Sequence, residues 1–163
     1  MKIIDTHTHL DASNFNNALD ASNFLSKETS RCGFYKSFVL QLLVQKWTRE
    51  EIGDLINEYK NLIFFVDINP FEENSKKKLK KFINNYGYFG LKLHPRLNKF
   101  NILDKKTIDL VNLAGDLNVP VIIDCFPDGN SIIENFNPTA FGKLANYCKN
   151  TNIIAAHMGG IYA

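Results

Sequence analysis

Six short, apolar, β-prone runs separated by stretches with helical spacing constrain this chain more than any other feature. They cover residues 2–10, 37–44, 62–67, 88–94, 119–125 and 152–157. Strands that alternate with helices pair in parallel through right-handed crossovers. Near-continuous apolar strands also imply that helices cover both faces of the sheet. The pattern predicts an α/β protein, either a doubly wound sheet or a (β/α) barrel. Between the strands, helices are expected over 16–31, from Thr48 through Tyr59, along the lysine-rich segment to Tyr86, over 104–117 and from Pro138 to Cys148. Thr48-Arg49-Glu50-Glu51 has the form of a capping box. The expected buried stripes are Ile52, Leu55, Ile56 and Tyr59; Leu79, Phe82, Ile83 and Tyr86; Ile108, Val111, Ala114 and Leu117; and Phe141, Leu144, Ala145 and Cys148.

The second constraint is where the histidines fall. His7 and His9 end the first predicted strand, His94 the fourth and His157 the sixth. Gln45, Asp67, Asn69, Lys92 and Asp124 sit at corresponding places. In parallel α/β folds the carboxyl ends of the strands carry the active site. Residues two apart on a strand share a face, so His7 pairs with His9, Lys92 with His94, and Ile122 with Asp124. Imidazole and carboxylate together suit a divalent cation that keeps an open position for water. Cys125 has the opposite parity to Asp124 and reads as a packing residue.

Composition narrows the class. The 163 residues are 45% hydrophobic and 22% charged, with a formal net charge of +2, which fits one globular domain spanning residues 1–163. Lys76, Lys77, Lys78, Lys80 and Lys81 interleave with Leu79, Phe82 and Ile83; this reads as a solvated helix face, so no nucleic-acid partner is expected. Three cysteines without CxxC spacing, no signal peptide and no long apolar span predict reduced thiols, a cytoplasmic location and no membrane partner.

The combined motifs resemble the amidohydrolase superfamily of metal-dependent (β/α)8-barrel enzymes, in its amidohydrolase-2 branch related to aminocarboxymuconate-semialdehyde decarboxylases. They are Asp5-Thr6-His7-Thr8-His9, Gly90-Leu91-Lys92-Leu93-His94-Pro95, Val119-Pro120-Val121-Ile122-Ile123 and Ala156-His157-Met158-Gly159-Gly160. The resemblance implies His7 and His9 as metal ligands and His157 as a ligand or a catalytic histidine beside the metal. Zinc is the expected cation, with manganese or iron as alternatives.

Two departures stand out. Where the family places a histidine at strand five, this chain has Asp124, which can complete the metal shell or serve as a hydrogen-bonding strand-end residue. The (β/α)8 barrel takes about 250 residues, whereas six strands are counted here; the seventh and eighth, with the family's catalytic aspartate, are not among them. The expected domain is then an incomplete (β/α) barrel: a fragment of a longer protein, an open barrel that is covered, or one whose outer strand edges a partner such as a second copy of the chain closes. The expected roles are catalytic for His157, Asp124 and Lys92, and substrate-binding for His94, Arg96 and Asp67. A strand-four lysine is carboxylated in some relatives, but His94-Pro95 favours an uncarboxylated Lys92 facing a substrate anion or moving a proton. The implied activity is hydrolysis of a C–N or C–O bond of a small molecule. Non-oxidative decarboxylation of a small unsaturated acid, or metal or metabolite binding without turnover, are the alternatives.

Overall fold

A computed structural model describes residues 1–42, 45–125 and 138–159. It contains two compact units, one built from residues 1–67 and 81–89, the other from 68–80 and the described part of 90–163.

In the first unit, β1 (Ile4–Thr8), β2 (Lys36–Leu40) and β3 (Leu62–Asp67) run parallel with β2 in the middle. The register of β1 on β2 slips between Asp5 and Thr8, a bulge that contains His7 and precedes His9. Helix α1 (Ala18–Arg31) begins at Asn17, whose side chain accepts the Asp20 N–H, and ends at Cys32 before Gly33 at φ +76°. It buries Ala18, Ala21, Ser22 and Thr29, and the Thr29 and Ser37 hydroxyls share a hydrogen bond of 2.9 Å. The Thr48–Glu51 capping box forms as expected and opens α2 (Arg49–Gly53). That helix stops early, and a single 3-10 turn, Ile56–Glu58, replaces its expected second half. Gly53, its last residue, packs against the Tyr86 ring so closely that an added Cβ would collide with it. Phe38, Phe65 and Phe89 stack with centroids 5.1–6.3 Å apart. The expected end of the second strand, Leu43 and Val44, lies outside the described residues.

In the second unit, β4 (Gly90–Leu93), β5 (Val121–Ile123) and β6 (Ile153–Ala155) run parallel with β5 central. Helix α3 (Ser75–Tyr86) gives its first half to this unit and its second half to the other, and Leu79 and Phe82 are its buried residues while Ile83 and Tyr86 are half-buried. A short α4 (Pro95–Asn98) follows β4 at once. The residue before a proline avoids helical backbone, so His94 ends the strand, and Pro95 takes the first helical position. Helix α5 (Lys105–Asp116) buries Thr107, Leu110, Val111 and Ala114. The stripe is rotated from the expected one because Thr107 can be buried, its hydroxyl donating to the Asn101 carbonyl at 3.1 Å. Helix α6 (Pro138–Tyr147) buries Ala140 and Leu144, with Cys148 buried just beyond it; Ala145, expected inside, is exposed. The strands of β4 and β5 are buried along their whole length, as parallel strands covered on both faces should be. No helix among the described residues is long and apolar enough to cross a membrane.

Candidate functional site

The first unit presents His7 and His9. Asp5 turns the strand end by accepting the His7 backbone N–H at 3.0 Å, and the Thr8 hydroxyl anchors it to the Phe38 carbonyl at 2.9 Å. The two imidazoles stand edge to face with centroids 5.3 Å apart. His9 Nδ1 lies 2.6 Å from the Leu40 carbonyl oxygen. A carbonyl only accepts, so Nδ1 carries the proton and the basic lone pair of the neutral ring is on Nε2. This is how proteins fix a histidine for metal ligation. Asp67, the last residue of β3, is buried, and its backbone carbonyl accepts Arg49 Nε–H at 2.9 Å. Arg49 was not among the residues expected from the sequence. A cavity of about 350 Å³ at the end of β2 is lined by Gln41, Trp47, Thr48 and Arg49, among others.

The second unit gathers a denser set. Asp124 directly follows β5 and is 4% exposed. Its Oδ1 is 3.0 Å from His157 Nε2, while its Oδ2 stands 3.4 Å from His94 Nδ1 and 3.8 Å from Arg96 Nε. Strand register explains His94: Lys92 lies opposite Ile122 and Leu93 opposite Ile123, so His94 falls opposite Asp124. The sharp entry into α4 then brings Arg96 round to the same carboxylate. A carboxylate taken out of water needs such compensation. Lys92 has no solvent exposure at all. Burial, and secondarily the Asp124 charge, push the neighbouring Cys125 thiol up to about 12, with Lys92 opposing. The thiol therefore stays protonated at neutral pH.

Of the residues expected to act, the second unit brings together Asp124, His157, His94 and Arg96, with Lys92 two residues before His94 on β4. The first unit brings together His7 and His9 and leaves Asp67 beside Arg49. The donor chemistry of His7 and His9 fits a pair of metal ligands. Among the described residues no three His, Cys, Asp or Glu side chains converge to hold an ion.

The sequence matches no family model and no curated protein. Solved structures are similar. An uncharacterized TIM-barrel protein from Bordetella bronchiseptica matches 95% of this chain and 66% of its own, at 13% identity and a TM-score of 0.73. A candidate amidohydrolase from Staphylococcus aureus matches over 98% and 68%, at 15% identity and a TM-score of 0.71. The 5-carboxyvanillate decarboxylase of Sphingomonas paucimobilis matches over 97% and 68%, at 11% identity and a TM-score of 0.67. The chain spans 59–68% of the length of similar chains such as these. The likeness is thus to amidohydrolase-2 type proteins, and it shows the fold: the chain is an α/β structure of the (β/α) TIM-barrel type, with six strands among the described residues.

Proposed function

We propose that this chain carries the site of a metal-dependent hydrolase that cleaves a C–N or C–O bond in a small molecule. The observation that supports it most is the Asp124–His157 pair, flanked by His94 and Arg96, at the carboxyl ends of β4, β5 and β6. On this reading His7 and His9 hold a divalent metal, zinc first, and a fixed Nδ1–H on His9 directs Nε2 toward that task. When bound, such an ion supplies a Lewis acid and lowers the pKa of a coordinated water to about 7. His157 takes up and returns the proton that moves during bond cleavage. Arg96 and Lys92 bind the anionic part of the substrate, Arg96 by paired N–H donors and Lys92 as a buried point charge. His94 and Asp67 line the substrate's surroundings.

A second reading, decarboxylation of a small unsaturated acid, draws on the same cationic pair, which would grip a carboxylate, and on the decarboxylase among the proteins of this fold. The two readings separate by product, amine or alcohol in one case and carbon dioxide in the other.

The test begins with metal content of chelator-treated and reconstituted protein, wild type and His7→Ala/His9→Ala. About one ion per chain in the wild type, lost in the double variant, and turnover in a screen of esters, amides and unsaturated acids are expected. Failure of the wild type to take up zinc, manganese or iron would overturn the metal-dependent reading and leave a barrel without this chemistry.

A further inference from the structure

The geometry points to a specific division of labour between Asp124 and His157. We propose that Asp124 is a positioning residue: it accepts the Nε2–H of His157 and so fixes the tautomer and the ring, and Asp124 is not itself a ligand. The inference deepens the reading above, on which it rests for the proton transfer assigned to His157.

Strand parity makes the contact unexpected. In the register of β5 and β6, Ile122 faces Ile154 and Ile123 faces Ala155, so Asp124 falls opposite Ala156. The ladder continues that far, since the Ala156 N–H donates to the Ile123 carbonyl at 2.9 Å. Simple alternation would then send His157 to the face of Ile123 and Ala155, away from Asp124. The backbone departs from alternation at this residue. His157 and Met158 both adopt φ +54° and Gly159 φ +82°, a left-handed run in which two of the three residues carry a Cβ. Left-handed backbone is unfavourable for such residues and persists where surrounding contacts impose it. Here it brings Nε2 to 3.0 Å from Oδ1.

The remaining contacts of the carboxylate agree. Its other oxygen faces His94 Nδ1 and Arg96 Nε, and Asp124 is nearly sealed from solvent. Beside the permanent charge of Arg96 the carboxylate is an acceptor, so the proton in the 3.0 Å contact resides on the imidazole. A carboxylate with Oδ1 hydrogen-bonded to one imidazole and Oδ2 turned toward a second imidazole and a guanidinium is a poor replacement for the histidine that the resembled family places at strand five. It is a good orienter for a neighbouring imidazole.

The test is long-range proton–nitrogen NMR of the full chain with labelled histidine at neutral pH, His157 being assigned by His157→Gln. The wild type is expected to show His157 as the Nε2–H tautomer in about tenfold or greater excess, as befits a charge-assisted hydrogen bond. Asp124→Asn keeps the shape and removes the charge; it should bring the two tautomers to comparable population, and Asp124→Ala should do so too. Zinc chloride added to the wild type should leave the Nε2–H resonance in place. An Nδ1–H tautomer or an even mixture in the wild type overturns the assignment without any variant being needed. A tautomer ratio unmoved by both substitutions in folded protein overturns it as well, and so does loss of the Nε2–H signal on adding zinc. Retention of the Nε2–H signal in protein that shows no turnover would uphold the assignment while defeating the hydrolase reading.

Discussion

At His157 and Met158 a backbone conformation that suits glycine is carried by two larger residues. For His157 the strain has a counterpart, the hydrogen bond to Asp124. Met158 is 92% exposed and has the same φ of +54°. Met158→Gly is therefore expected to stabilise the protein by about 0.5–1 kcal/mol, the relief of left-handed strain exceeding the added chain entropy. A rise of a few degrees in the thermal midpoint would register it, and a fall would show that Met158 is held by contacts and not strained. The residue scale is also where the sequence was least legible. Four histidines at strand ends could be found by pattern, but period-two reasoning assigns His157 to the wrong face.

Elements were legible where hydrophobic period and local chemistry agreed. Residues 62–67 read as a strand and are β3, and the Thr48 capping box is formed to the expected pattern. The second half of the helix from Thr48 to Tyr59 was not legible: the apolar spacing continues through Leu55 and Ile56, yet α2 stops at Gly53, which packs against the Tyr86 ring. Helix α5 contains the same kind of contact at Gly115. A Cβ there would meet Thr151 Oγ1 and the Asn150 backbone carbonyl, the latter at 3.0 Å. Thr151 cannot withdraw cheaply, because its hydroxyl donates to the Val111 carbonyl at 2.9 Å. Helix propensity alone would make Gly115→Ala stabilising by about 1 kcal/mol. The packing predicts the opposite sign, a loss of about 1–3 kcal/mol from overpacking. Denaturant midpoints of the two proteins decide between them.

For the molecule as a whole, buried thiols set an alkaline limit. Burial pushes Cys125 up to about 12 and Cys148 up to about 11. Both pKa values are raised on folding, so the associated stability is complete below the ordinary thiol value near 9. It is lost as pH climbs through the folded values, because the unfolded chain releases these protons first. Each thiol should lower stability by about 1.4 kcal/mol per pH unit at most in that window. Urea midpoints measured from pH 8 to 11 should fall, and fall less steeply in Cys148→Ala; an unchanged slope would show that other groups govern the decline. The βα order of the described strands was readable because parallel strands covered on both faces leave long apolar runs, and the site residues were readable from their places at strand ends, whereas the contacts they make with one another across strands were not. Lys92 has a different consequence. Its ammonium is sealed inside β4, whereas lysines of α3 such as Lys77 stand in solvent. An amine-reactive reagent meets the surface lysines at the reagent's own rate and meets Lys92 only during those moments when the β4–β6 core parts. The ratio of the two rates makes this one side chain a clock for the opening of the unit that carries Asp124 and His157.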